Sequence, residues 1–122
     1  LYLYDEKGKR TGLNPDVQAA INAPAKTMSE SALQDRLFLP MVNEAAHCLA
    51  EGIIDEPSQL DLAMIFGTGF APFLGGVLGY ADSLGIRTVH QKLEHLSKVA
   101  GDNYKPAQLI KDKAQRGEAF YK

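Results

Sequence analysis

The chain is predicted to be all-α, and three observations lead there. Apolar residues recur at i+3 or i+4 spacing, most clearly in Leu33, Leu37, Met41, Ala45 and Cys48. Helix-start and helix-stop residues punctuate the chain at helix-sized intervals. No segment sustains the period-two alternation of a half-buried strand. The expected architecture is a single compact helical domain of four to five main helices over residues 27–122. An extended arm or linker over residues 1–26 precedes it.

Taken in order, residues 1–4 (LYLY) read either as a strand or as an extended arm on a surface, followed by a charged turn over residues 5–10. Gly12, Pro15 and Pro24 then break the chain around a brief helix-like piece, VQAAIN. Helix signals begin at Thr27, where Thr-Met-Ser-Glu fits a capping box and Ser29 is the rival cap. The apolar face that follows is widened by Phe38, Val42 and Leu49. Pro40 should kink this helix, because its ring removes an i→i−4 hydrogen bond, and Gly52 should stop it. A second helix is expected from Pro57 to about Phe66, and a turn over residues 67–75. Three more follow: residues 76–84, residues 86–100 with Val89, Leu93 and Leu96 inward, and one from Pro106 to Gly117 with Leu109, Ile110 and Ala114 inward. Phe120 and Tyr121 should tuck back onto the body.

Composition bounds the function classes. A length of 122 residues with 45% hydrophobic content supports one modest core. A formal charge of −2 gives no basic surplus for nucleic acid, although a few lysines suffice for a smaller polyanion. The single cysteine, Cys48, cannot form an internal disulfide. Residues 60–85 are apolar but too broken by glycine and proline to span a membrane. The opening residues fit neither a signal peptide nor a transit peptide. A chain that opens on Leu-Tyr-Leu-Tyr without methionine is expected to be a piece of something longer.

No nucleophile–base pair is visible. Gly67-Thr68-Gly69 lacks the strand before it and the third glycine that a dinucleotide fingerprint needs, since Pro72 holds that position. These glycines are expected to serve tight turns and close helix approach, with the phenylalanines filling the gap. His47 and Cys48 are adjacent on a helix and point about 100° apart, so they are poorly placed to chelate one metal. His90 and His95 match no zinc spacing. Asn43 and Glu44 lie mid-helix beside the apolar face, where a partly buried carboxylate must find partners. A structural pairing is expected there rather than a site carboxylate. Asp55, Asp61 and Asp82 read as scattered acids, with Asp82 fixing a turn. Lys105, Lys111, Lys113 and Arg116 form a mildly basic patch.

The words DRLFLPMVNEAAHCLAEGIIDEPSQLDLAMIFGTGFAPFLGG, followed by YADSLG, and the ending PAQLIKDKAQRGEAFY resemble the C-terminal helical domain of the 3-hydroxyacyl-CoA dehydrogenase family. The order VNEA, CL, EGI, DL, FG, GF, GG resembles the second copy of that domain in multifunctional alpha subunits of fatty-acid oxidation complexes, and LYLYDEKGKRTGLNP resembles the linker between copies. The resemblance implies a 6-phosphogluconate-dehydrogenase-C-terminal-like fold. It implies a parent enzyme with enoyl-CoA hydratase and NAD-dependent 3-hydroxyacyl-CoA dehydrogenase activities, its NAD held by a Rossmann domain outside this piece. In the family's first copy an asparagine–arginine pair lies beside substrate; the equivalent words here are Asp35-Arg36. A carboxylate would repel a developing oxyanion, so no catalytic residue is expected in this piece.

By the same resemblance its role is to brace the dehydrogenase part against the first copy and the Rossmann domain. Phe70, Pro72 and Phe73 are candidate substrate contacts, and Asn43, Glu44, Gly67 and Gly69 are candidate structural residues. Acyl-CoA, a thiolase subunit and a second copy of the chain are candidate partners. The compartment implied is the cytoplasm in a bacterium, and mitochondria or peroxisomes in a eukaryote.

Overall fold

A computed structural model describes residues 1–21 and 27–121 of the chain. The expected break at Pro24 lies outside the described residues. Tyr2–Tyr4 (β1) and Arg10–Leu13 (β2) pair antiparallel, with Tyr2 opposite Leu13 and a bulge between Leu3 and Tyr4. Of the two readings of residues 1–4, strand or extended arm, the strand is the one found, and it is too short to show a period. Asp5 builds its turn by accepting from the Lys7 and Lys9 amides, and the Arg10 guanidinium stacks over the Tyr2 ring at 3.7 Å. A short helix, α1 (Pro15–Ile21), follows. None of residues 1–17 and 19–21 is buried.

The helical body comprises α2 (Glu30–Ala50), α3 (Pro57–Thr68), α4 (Gly76–Leu84), α5 (Ile86–Ala100) and α6 (Gln108–Arg116), with one-turn 3-10 segments at Pro72–Leu74 and Asp102–Tyr104. Ser29 rather than Thr27 caps α2, its hydroxyl accepting the Ala32 amide at 3.2 Å. At the other end Gly52 takes φ +68°, and the Gly52 and Ile53 amides return to the Leu49 and Cys48 carbonyls. That is the left-handed glycine stop read from the sequence.

The α4 helix is the centre of the core. It packs against α2, α3 and α5 and buries Val77, Leu78 and Ala81 completely. Leu39 and Val42 of α2, Val89 and Leu93 of α5 and Ile110 of α6 complete this dry interior. Phe38 stands edge-on to Phe70 at 5.7 Å and to Tyr80 at 5.5 Å, an arrangement that suits the ring quadrupoles.

Pro40 lacks the N–H that would bond the Arg36 carbonyl, and the Tyr104 hydroxyl donates to that carbonyl instead, at 3.2 Å. The proline thus ties α2 to the 3-10 segment after α5.

Candidate functional site

Asp35 lies on the second turn of α2, facing α5. Its Oδ2 sits 2.6 Å from the Lys92 Nζ, and both side chains are partly buried. The Tyr80 hydroxyl shares this corner. Its pKa is raised, first by burial and then by the negative charge of Asp35, with Lys92 acting in the opposite direction. The carboxylate is therefore already neutralised within the chain. Arg36, next to it, lines an open groove of about 540 Å³ between α2 and α5.

About two turns further along α2, Asn43 is 6% exposed and spends both ends of its amide on the segment before α6. Its Nδ2 donates to the Lys105 carbonyl at 2.9 Å, and its Oδ1 accepts the Ala107 amide at 2.7 Å. Glu44 is exposed, which corrects the expectation of a partly buried carboxylate: it falls on the solvent side of the helix beside Asn43. With His47, Lys105 and Lys111 it lines a second open groove of about 860 Å³.

The glycine-rich corner is organised by a residue that reads in the sequence only as a scattered acid. Asp61, 3% exposed in the middle of α3, accepts the Leu78 amide at 2.7 Å and the Gly79 amide at 3.0 Å. Those amides belong to the first turn of α4, so the carboxylate satisfies orphan donors and meets the positive end of the helix dipole. The Tyr121 hydroxyl donates to the same carboxylate at 2.7 Å. Close approach falls at Gly76: with φ +90°, a Cβ there would stand 2.3 Å from the Asp61 Cβ. Gly69 ends α3 in the left-handed region at φ +73°. Gly67 lies inside α3, and a Cβ there would meet nothing within 4 Å.

Asp82, expected to fix a turn, does so with the chain's far end. Its two oxygens accept the Phe120 and Tyr121 amides at 2.9 and 2.8 Å. Phe120 is buried, Lys113 donates to the Ala119 carbonyl, and the tail is strapped down as expected. The one available clue was composition: Asp61 is a lone carboxylate inside the apolar run LDLAMIF.

The aromatic corner divides. Phe70 is 6% exposed and belongs to the core, whereas Phe73 is 88% and Phe66 84% exposed. The expectation that the phenylalanines together fill a buried gap therefore applies to Phe70 alone. Pro72 is also exposed. A dinucleotide does not fit this corner. Gly67-Thr68-Gly69 stands at the carbonyl end of α3, where the dipole is negative, and the Thr68 hydroxyl donates to the Met64 carbonyl. The nearby amide end, at α4, already holds the Asp61 carboxylate.

Residues 33–122 match the model of the 3-hydroxyacyl-CoA dehydrogenase C-terminal domain, and the chain belongs to that family. Among its relatives, the fatty acid oxidation complex subunit alpha of Idiomarina loihiensis is 40% identical over 121 residues, covering 98% of this chain. That of Vibrio campbellii is 37% identical over 97% of the chain, and the glyoxysomal fatty acid beta-oxidation multifunctional protein MFP-a of Brassica napus is 34% identical over 95%. The chain spans about 17% of the length of each of these relatives. The family is NAD-dependent in general. Among the described residues, no helix is long and apolar enough to cross a membrane.

Proposed function

We propose that the chain is the non-catalytic C-terminal helical domain of a bifunctional enoyl-CoA hydratase and NAD-dependent 3-hydroxyacyl-CoA dehydrogenase of fatty-acid β-oxidation, and that it braces the dehydrogenase part. In this reading residues 1–26 are the linker and residues 27–122 the domain. Its partners are the first helical copy and the Rossmann domain of the same longer chain. NAD binds in that Rossmann domain. A thiolase subunit is a further partner of the whole complex.

The observation that carries the reading is the Asp35–Lys92 ion pair at 2.6 Å. Where the family's first copy offers an amide donor to substrate, this chain offers a carboxylate already engaged by a lysine. The carboxylate repels a developing oxyanion where the amide would donate to it, and the lysine's charge is already offset by Asp35. The names and coverage of the relatives support the parent enzyme. Purified chain is expected to give no NAD reduction with a 3-hydroxyacyl-CoA; measurable turnover would sink the proposal.

The exposure of Phe73 favours a second reading, in which Pro72 and Phe73 touch an acyl-CoA. Phe70 could join them only by leaving the core. Slower hydrogen exchange around residues 70–74 of the full-length enzyme on adding acyl-CoA would support this reading, and unchanged exchange would count against it.

A further inference from the structure

The groove between α2 and α5 carries a charge opposite to that of the molecule. Two cations, Arg36 and Lys92, face one carboxylate, Asp35, on a chain whose formal charge is −2. Lys92 and Asp35 consume each other at 2.6 Å. That leaves Arg36, a partly buried residue whose guanidinium makes no side-chain hydrogen bond or ion pair among the described residues. Gln91 and His95 line the same groove from α5, and their side chains likewise have no hydrogen-bond partner among the described residues. Leu96 and Val99 continue the wall, so donors give way to an apolar stretch along one helix face.

A planar guanidinium presents paired N–H donors that match an oxyanion, and burial of its stem costs it freedom in advance of binding. We infer that this groove binds a small oxyanion-bearing molecule, a phosphate or carboxylate group seated on Arg36 with Gln91 and His95 as flanking donors, and a short apolar portion against Leu96 and Val99. The inference does not rest on the bracing role, because the groove is complete within this chain.

The test is an NMR titration of the 15N-labelled chain at fixed ionic strength. Inorganic phosphate and hexanoate are the two probes, with chloride as the blank. Saturable shifts confined to the amides around Arg36, Gln91 and His95 are the expected result. Saturation by phosphate alone assigns the group to phosphate ligands; saturation by hexanoate assigns it to carboxylates with a chain. Arg36→Gln should weaken binding by roughly tenfold or more, the worth of a charge-assisted pair. His95→Ala, an exposed position that leaves the fold alone, should weaken it by a smaller factor, and decides the matter if Arg36→Gln melts early. Lys105→Gln and Lys111→Gln, in the other groove, should bind as the parent does. Non-saturating shifts, shifts spread over all lysines, wild-type affinity in both groove variants, or equal losses in the Lys105 and Lys111 variants would overturn the inference.

Discussion

At the scale of single residues, the α3–α4 corner depends on one carboxylate. Asp61 accepts one buried and one part-buried backbone amide and a tyrosine hydroxyl, so its removal orphans donors rather than merely deleting contacts. Asp61→Ala should destabilise the chain by about 3 kcal/mol, given ~1–3 kcal/mol for each buried group left unpaired; urea unfolding measures it. The neighbouring glycines separate cleanly. Gly76→Ala drives a Cβ into Asp61 and strains a left-handed backbone, for an expected loss of about 3 kcal/mol or more. Gly67→Ala fills open space inside a helix and should instead stabilise by roughly 0.5–1 kcal/mol. A melting series that ranks these two the other way would contradict the roles given to them. Nothing local in the sequence distinguishes the two positions. The distinction is made by Asp61, fifteen residues before Gly76, whose place in an apolar run marks it as unusual but does not name the amides of Leu78 and Gly79 as its partners.

At the scale of elements, the limits of α3, α4 and α5 were legible to within two residues because their boundary residues are local: Pro57 at a start and Gly69, Gly85 and Gly101 at stops act through their own φ angles. The start of α6 is offset by two residues for a reason that is not local. Pro106 suggested a helix opening there, yet the helix begins at Gln108. Asn43, 64 residues earlier, takes the Ala107 amide and holds Ala107 extended. Asn43→Ala is expected to cost about 2 kcal/mol, two long-range bonds at ~1 kcal/mol each, and to loosen residues 105–107 first in hydrogen exchange. The tail gives a pH-dependent prediction. Burial, then the bond to Asp61, raises the Tyr121 pKa. Below about pH 10 both folded and unfolded chains hold this proton, and the tail's contribution is intact. Above it the unfolded chain releases its proton first, so stability should fall as pH rises. Tyr121→Phe should flatten that alkaline limb, compared by thermal melts between pH 8 and 11.

At the scale of the whole molecule, the fold class and family were legible because they rest on short words in fixed order. The candidate site was legible only in part: Asp35 and Asn43 could be singled out, but the lysine that neutralises one and the segment that engages the other lie on distant turns. Exposure was equally hidden, since Phe66, Phe70 and Phe73 are alike in sequence and only Phe70 faces inward. Large apolar side chains left in water favour association. Concentrated chain is therefore expected to self-associate in light scattering, and Phe66→Ser with Phe73→Ser should return it to a monomer at little cost in stability. A parent chain that stays monomeric at high concentration would count against both the homodimer and the brace.

The strap between Tyr121 and Asp61 also sets an order of events during synthesis. Sixty residues separate the partners, and Asn43 likewise waits 64 residues for Ala107. At ~5–20 residues per second, roughly 3–12 s pass between the emergence of each partner and its mate. Through that interval the α3–α4 corner lacks its last hydrogen bond, and the start of α6 has not yet been laid down. The body therefore closes from its downstream end, and a ribosome stalled within these last few turns would carry a domain with most of its helices present and its lock still open.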